Sequence, residues 1–154
     1  MSSTINSRFH WLSASTVRSV AAIIIVLILV GTGIGKVVSA LGNDQYLEQR
    51  DLITGLSFKL LLVGTSGVEF VIARLCWAYR QSPRAPILVL MLCVLFGIYR
   101  ITFSALFAGE MCPCLGYAFS SLGISKASAA AAVSASYVLL ICAATLSLAT
   151  FLRR

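Results

Sequence analysis

Apolar positions along this chain come in four long blocks, not in the alternating or one-sided patterns of a soluble fold. The first runs from Val20 to Ala40, with the core Ala-Ala-Ile-Ile-Ile-Val-Leu-Ile-Leu-Val. The second spans Leu52 to Tyr79, the third Pro86 to Ala108 and the fourth Ala127 to Leu152. Each is long enough to cross a hydrocarbon core of about 30 Å. In lipid the backbone must satisfy its own hydrogen bonds, so each block predicts a helix. Polar breaks separate them: Gly42-Asn43-Asp44-Gln45, then Gln81-Ser82-Pro83-Arg84-Ala85-Pro86, then a longer stretch from Gly109 to Lys126. The pattern predicts an all-α fold, a single transmembrane domain over residues 1–154 built as a four-helix bundle. The second block is the least uniform, since it holds Lys59, Glu69 and Arg74.

Composition agrees. Of 154 residues 59% are hydrophobic and 11% charged, against about 25% charged in a typical soluble domain. Mean hydropathy is +0.96. The net charge of +7 does not point to nucleic acid, because the basic residues are scattered among apolar runs and form no basic stripe. They fit a topology instead. Arg8, Arg18, Arg74, Arg80, Arg84, Arg153 and Arg154 collect on one side, and Arg50 and Lys126 on the other. The positive-inside rule then puts both termini in the cytoplasm and the first and third connections outside. In a bacterium the chain would be a multi-pass protein of the inner membrane. Arg8, Arg18 and the sequence up to Val38-Ser39-Ala40 resemble a cleavable signal peptide, but the apolar run exceeds the usual 7–15 residues and Lys36 interrupts it. The expectation is a retained first span.

The third connection carries Cys112-Pro113-Cys114. Two thiols one residue apart can close a disulfide when a turn brings their Cα atoms to roughly 4.4–6.8 Å. On the periplasmic face such bonds form and persist, and a strained one is a better oxidant. The pair reads as a dithiol that exchanges with a partner or passes electrons to a carrier; the plainer reading is a static clip. A metal site is disfavoured, because zinc wants four ligands and the single histidine, His10, falls on the other face. With one histidine on the wrong side, no Ser/His/Asp set can be assembled. Cys76, Cys93 and Cys142 fall inside spans, where free cysteine behaves as a small hydrophobe.

Ionisable residues within spans are costly and usually pair inside the bundle. Glu69 and Arg100 lie at similar depths, so an ion pair between the second and third spans is expected; the simpler alternatives are a protonated Glu69, or a Glu69–Arg74 contact with Arg100 snorkelling outward. Lys36 and Lys59 lie toward the outer ends of their spans. They either snorkel to lipid phosphates or favour thiolate at the cysteine pair, whereas Glu110 would oppose it. Gly31, Gly35 and Ser39 form a small-residue face for close helix contact, with Ser128, Ala132 and Ser136 as a similar face on the fourth span.

The order of these features resembles the DoxX-like superfamily of four-helix membrane proteins, and within it the MauE branch linked to methylamine utilisation. The residues that carry the resemblance are Gly31, Gly33, Gly35 and Lys36 in the first span, Gly67-Val68-Glu69 in the second, and Cys112-Pro113-Cys114-Leu115-Gly116 after the third. Leu115 stands where an aromatic is common in that branch. The resemblance implies a role in periplasmic disulfide handling, beside a thioredoxin-like protein or a disulfide-rich client. Cys112 and Cys114 would be the redox pair, and Lys36 and Glu69 the polar positions inside the bundle. The expected function is therefore a thiol–disulfide redox protein, with a quinone between the helices as a conceivable electron carrier that no sequence feature marks. The alternatives are a non-enzymatic membrane scaffold, or a small transporter with a polar site at Glu69 and Arg100.

Overall fold

A computed structural model describes residues 3–42, 45–51, 53–106, 123 and 125–152. It is all-helical, with four helices long and apolar enough to cross a membrane. They are α1 (Ser3–Leu41), α2 (Phe58–Ala78), α3 (Arg84–Leu106) and α4 (Lys126–Leu152), with a short 3₁₀ turn at Gln45–Glu48. Four such helices suggest a multi-pass membrane protein. Among the described residues there is no strand, only an isolated bridge between Arg50 and Ser57.

Local chemistry sets the boundaries. α1 starts well before its apolar run, because residues 3–19 contain no glycine or proline to stop a helix. α2 starts at Phe58 and not at Leu52, because Asp51 folds the preceding residues into a tight turn. Asp51 Oδ2 accepts from the Thr54 amide at 2.9 Å and from the Thr54 hydroxyl at 2.7 Å, and Gly55 takes φ +72°, a left-handed value that favours glycine. The amide of Gly55 donates to the Asp51 carbonyl at 2.7 Å, and that of Asp51 to the Leu56 carbonyl at 2.8 Å. Ser57 then caps α2, its side chain accepting from the Leu60 amide. The α2–α3 connection is short, and α3 begins directly after Pro83. Pro86 falls in the first turn of α3, where a missing N–H costs nothing. Ser125 precedes α4 and accepts from the Ser128 amide.

The helices run up and down in turn. α1 packs on α2 and α4, and α3 closes the ring against α4 and, least closely, α2. One end of the bundle carries the α2–α3 turn and the last turn of α4. The opposite end, called here the connection end, carries the Asp51 turn and the helix ends at Leu106 and Lys126. An apolar core fills the half away from the connection end: Ile25 and Leu29, Ala73 and Cys76, Val89 and Cys93, Leu140 and Ala144. A second small cluster of Ala40, Leu47 and Leu62 closes the connection end. Buried polar groups lie between and around these clusters.

The outer surface is covered with large apolar side chains, among them Leu27, Val71, Met91, Leu95, Ile101 and Leu146. An apolar surface of this extent suits a lipid environment. Hydroxyls on the helices are satisfied within the helix, as lipid requires: those of Thr32, Thr65, Thr102, Ser136 and Thr145 donate to carbonyls one turn back.

Candidate functional site

The buried face of α2 is Leu62, Ser66, Glu69, Ala73 and Cys76, a spacing of four and three that keeps them on one side of the helix. Glu69 is thereby turned into the bundle, and its side chain is 3% exposed. On α1, Gly33, Lys36, Ser39 and Ala40 form the matching buried face. Lys36 lies five residues before the end of α1, about 8 Å below it at 1.5 Å per residue. Side chains on a helix lean toward its N-terminus, which on α1 means away from the connection end and toward Glu69. Lys36 Nζ reaches Glu69 Oε1 at 2.5 Å. The same ammonium lies 4.5 Å from the centroid of the Phe96 ring on α3, within the range of an attractive cation–π contact.

The second carboxylate oxygen is different. Glu69 Oε2 is buried and has no hydrogen-bond partner among the described residues. Thr32 lies beside Glu69, and its hydroxyl is also 3.0 and 3.2 Å from the Ile28 and Leu29 carbonyls. Gly33 packs closely against this part of α2. A Cβ there would lie 3.5 Å from Oε2 and 3.0 Å from the Phe70 ring. Two aromatic rings, Phe70 from α2 and Phe96 from α3, therefore lie beside the lysine–glutamate pair.

The sequence pointed Glu69 at Arg100; the structure pairs it with Lys36 instead. Arg100 is half-buried on α3. Arg74, the other alternative for Glu69, is exposed, and so is Lys59. Lys36 does not snorkel. Burial and its contacts with Glu69 and Phe96 keep its ammonium inside the bundle, so it is not a free cation for the cysteine pair. The small-residue face is also shifted. Gly31 is exposed with nothing near a Cβ, and it is Gly33 that meets α2. On α4, Ser128 and Ala132 are exposed.

Cys112, Pro113, Cys114, Leu115 and Glu110 lie outside the described residues, as does the side chain of Lys126. The three described cysteines are free thiols. Cys76 and Cys93 belong to the apolar core away from the connection end, and Cys142 is exposed on α4. Among the described residues no three metal-ligating side chains gather.

Two residues of the polar layer had weak sequence signals. Asp51 is 1% exposed and is tied to α3 by the Tyr99 hydroxyl, which donates to its Oδ1 at 3.4 Å. The run Asp51-Leu52-Ile53-Thr54-Gly55 is the turn signature that marks it. Phe96 has no such signal, being one aromatic in an apolar helix. No family model, curated protein or solved structure matches the chain.

Proposed function

We propose that this chain is a thiol–disulfide redox protein of a bacterial inner membrane, of the MauE type, with Cys112 and Cys114 as its exchanging pair on the periplasmic face. The observation that carries the reading is the Cys112-Pro113-Cys114 sequence, set in a connection whose flanking helices, α3 and α4, meet the connection end. The exposed Arg74, Arg80 and Arg84 lie near the α2–α3 turn at the opposite end, which supports an orientation with the termini inside. The free thiols Cys76 and Cys93 are buried in the other half of the bundle, so a second dithiol is expected from a partner, a thioredoxin-like domain or a disulfide-rich client. In the exchange, the thiolate of one cysteine attacks the partner's disulfide and one partner sulfur leaves. The second cysteine then attacks the mixed disulfide, leaving Cys112 joined to Cys114 and the partner as a dithiol. The reverse direction uses the same steps.

Trapping tests this. Either Cys112→Ser or Cys114→Ser should accumulate a reductant-sensitive adduct with a periplasmic protein, because the resolving thiol is missing. No adduct with either variant, in cells where impermeant maleimide labels the wild-type thiols, would overturn the reading.

A further inference from the structure

We propose that the α2–α3 turn holds the headgroup of an acidic phospholipid, with Arg80 and Arg84 on its phosphate and Trp77 and Tyr79 beside it at the membrane surface. The site is separate from the cysteine pair and does not depend on the redox reading.

Helix length sets the depth. α2 has 21 residues, about 31 Å at 1.5 Å per residue, which matches a hydrocarbon core of about 30 Å. The residues that close the helix therefore fall at headgroup level. Trp77 and Tyr79 are each 52% exposed, and their amphipathic rings are the ones favoured at that boundary. They line an open cleft of about 640 Å³ together with Ala78, Arg80, Gln81 and Ser82. Its backbone is held in place. The Tyr79 amide donates to the Leu75 carbonyl and the Ser82 amide to the Tyr79 carbonyl, both at 2.8 Å. The Arg84 amide donates to the Ser82 hydroxyl oxygen at 3.4 Å.

Charge selects the occupant. Arg80 and Arg84 are exposed at the turn, and Arg74 is exposed one helical turn before Trp77. The sequence has no acid between Glu69 and Glu110, and Glu69 is buried against Lys36. No acidic side chain of α2, the turn or α3 therefore neutralises these arginines. The Arg80 guanidinium lies 5.3 Å from the centroid of the Trp77 ring. A guanidinium held over a ring keeps its N–H edge for a phosphate, which it grips with two parallel bonds. Basic residues at this level attract acidic lipids. The apolar surface beneath them favours a lipid over a free phosphate. Val71 lies one turn deeper than Arg74, and Ile87, Leu88 and Met91 lie one to two turns deeper than Arg84, all of them exposed. Acyl chains cover that surface while the phosphate meets the arginines.

The test is fluorescence quenching in the full chain, reconstituted in vesicles of phosphatidylcholine and phosphatidylglycerol with one or the other brominated on its acyl chains. Trp11→Phe leaves Trp77 as the single tryptophan. Phosphatidylglycerol should bind beside Trp77 at least fivefold more tightly than phosphatidylcholine. The preference should vanish in Arg80→Gln with Arg84→Gln and persist in Arg50→Gln, at the opposite end of the bundle. Arg80→Lys keeps the charge but loses the paired donors, so the preference should fall at least twofold; this variant decides the matter should the double variant not fold. Equal affinity for the two lipids, or a preference that Arg80→Lys leaves unchanged, overturns the site. So does loss of the preference in millimolar inorganic phosphate, since the occupant would then be the free anion.

Discussion

The hydroxyl of Tyr137 on α4 donates to the backbone carbonyl of Cys93 on α3 at 2.6 Å. It can do so because residue 97, one turn on, is glycine. A Cβ at that position would sit 2.5 Å from the Tyr137 oxygen. A tyrosine hydroxyl facing a helix backbone at close range, beside the apolar core, fixes how α3 and α4 are rotated against one another.

Gly97→Ala should therefore destabilise the bundle although alanine is the better helix former. The overpacking cost of about 1–3 kcal/mol and the loss of a hydrogen bond worth about 1 kcal/mol outweigh a propensity gain of about 1 kcal/mol. In a Tyr137→Phe background the same substitution should cost clearly less, since the oxygen it strikes is gone. Unfolding in mixed micelles reads both, and equal costs in the two backgrounds would contradict the contact.

Removing one partner of the buried ion pair should be worse than removing both. Lys36→Met or Glu69→Leu alone strands a charge in the bundle, a loss of about 3–5 kcal/mol. The double variant exchanges the pair for apolar packing and should unfold later than either single. A double-mutant cycle measures the coupling, and additive losses would show that the two charges do not share a site.

Glycines on α1 should divide by position. Gly31→Ala meets open space and should leave stability unchanged or raise it by up to about 1 kcal/mol. Gly33→Ile should be strongly destabilising, because its side chain must displace the Phe70 ring and crowd Glu69. Thermal unfolding of the two variants in the same detergent decides this, and similar midpoints would place Gly33 outside the α1–α2 contact.

Asp51 should hold the turn before α2. Asp51→Ala removes the acceptor for the Thr54 amide, the Thr54 hydroxyl and the Tyr99 hydroxyl at once, for a loss of about 1–3 kcal/mol. Hydrogen exchange at Thr54 and Leu56 should speed up. Tyr99→Phe removes one bond of 3.4 Å and should be milder, leaving the exchange at Thr54 near wild type. Protection unchanged in Asp51→Ala would show that the turn is held by its backbone bonds alone.

The sequence alone determined the four helices, since crossing lipid requires a run of apolar residues and little else. Their centres were legible, and so was the presence of an acid inside the second span at Glu69; the burial of Lys36 was not, since its place near the end of a span suited snorkelling equally well. The start of α2 was less legible: the apolar run continues through Leu52 and Ile53, and it is the turn built by the side-chain and backbone bonds of Asp51, with Gly55 at positive φ, that interrupts the helix there.

The partner of Glu69 was decided by tertiary structure. Position along a span gives depth, and depth alone pointed Glu69 at Arg100, with Arg74 one turn on as the alternative. Which base Glu69 meets depends on how each helix is rotated about its axis. Helices that are apolar nearly all round carry little record of that rotation in their sequence. Contacts set it instead: Gly33 admitting Phe70, Gly97 admitting Tyr137, and the Lys36 ammonium resting over Phe96. Hydropathy is a property of the chain, while azimuth belongs to the packed bundle.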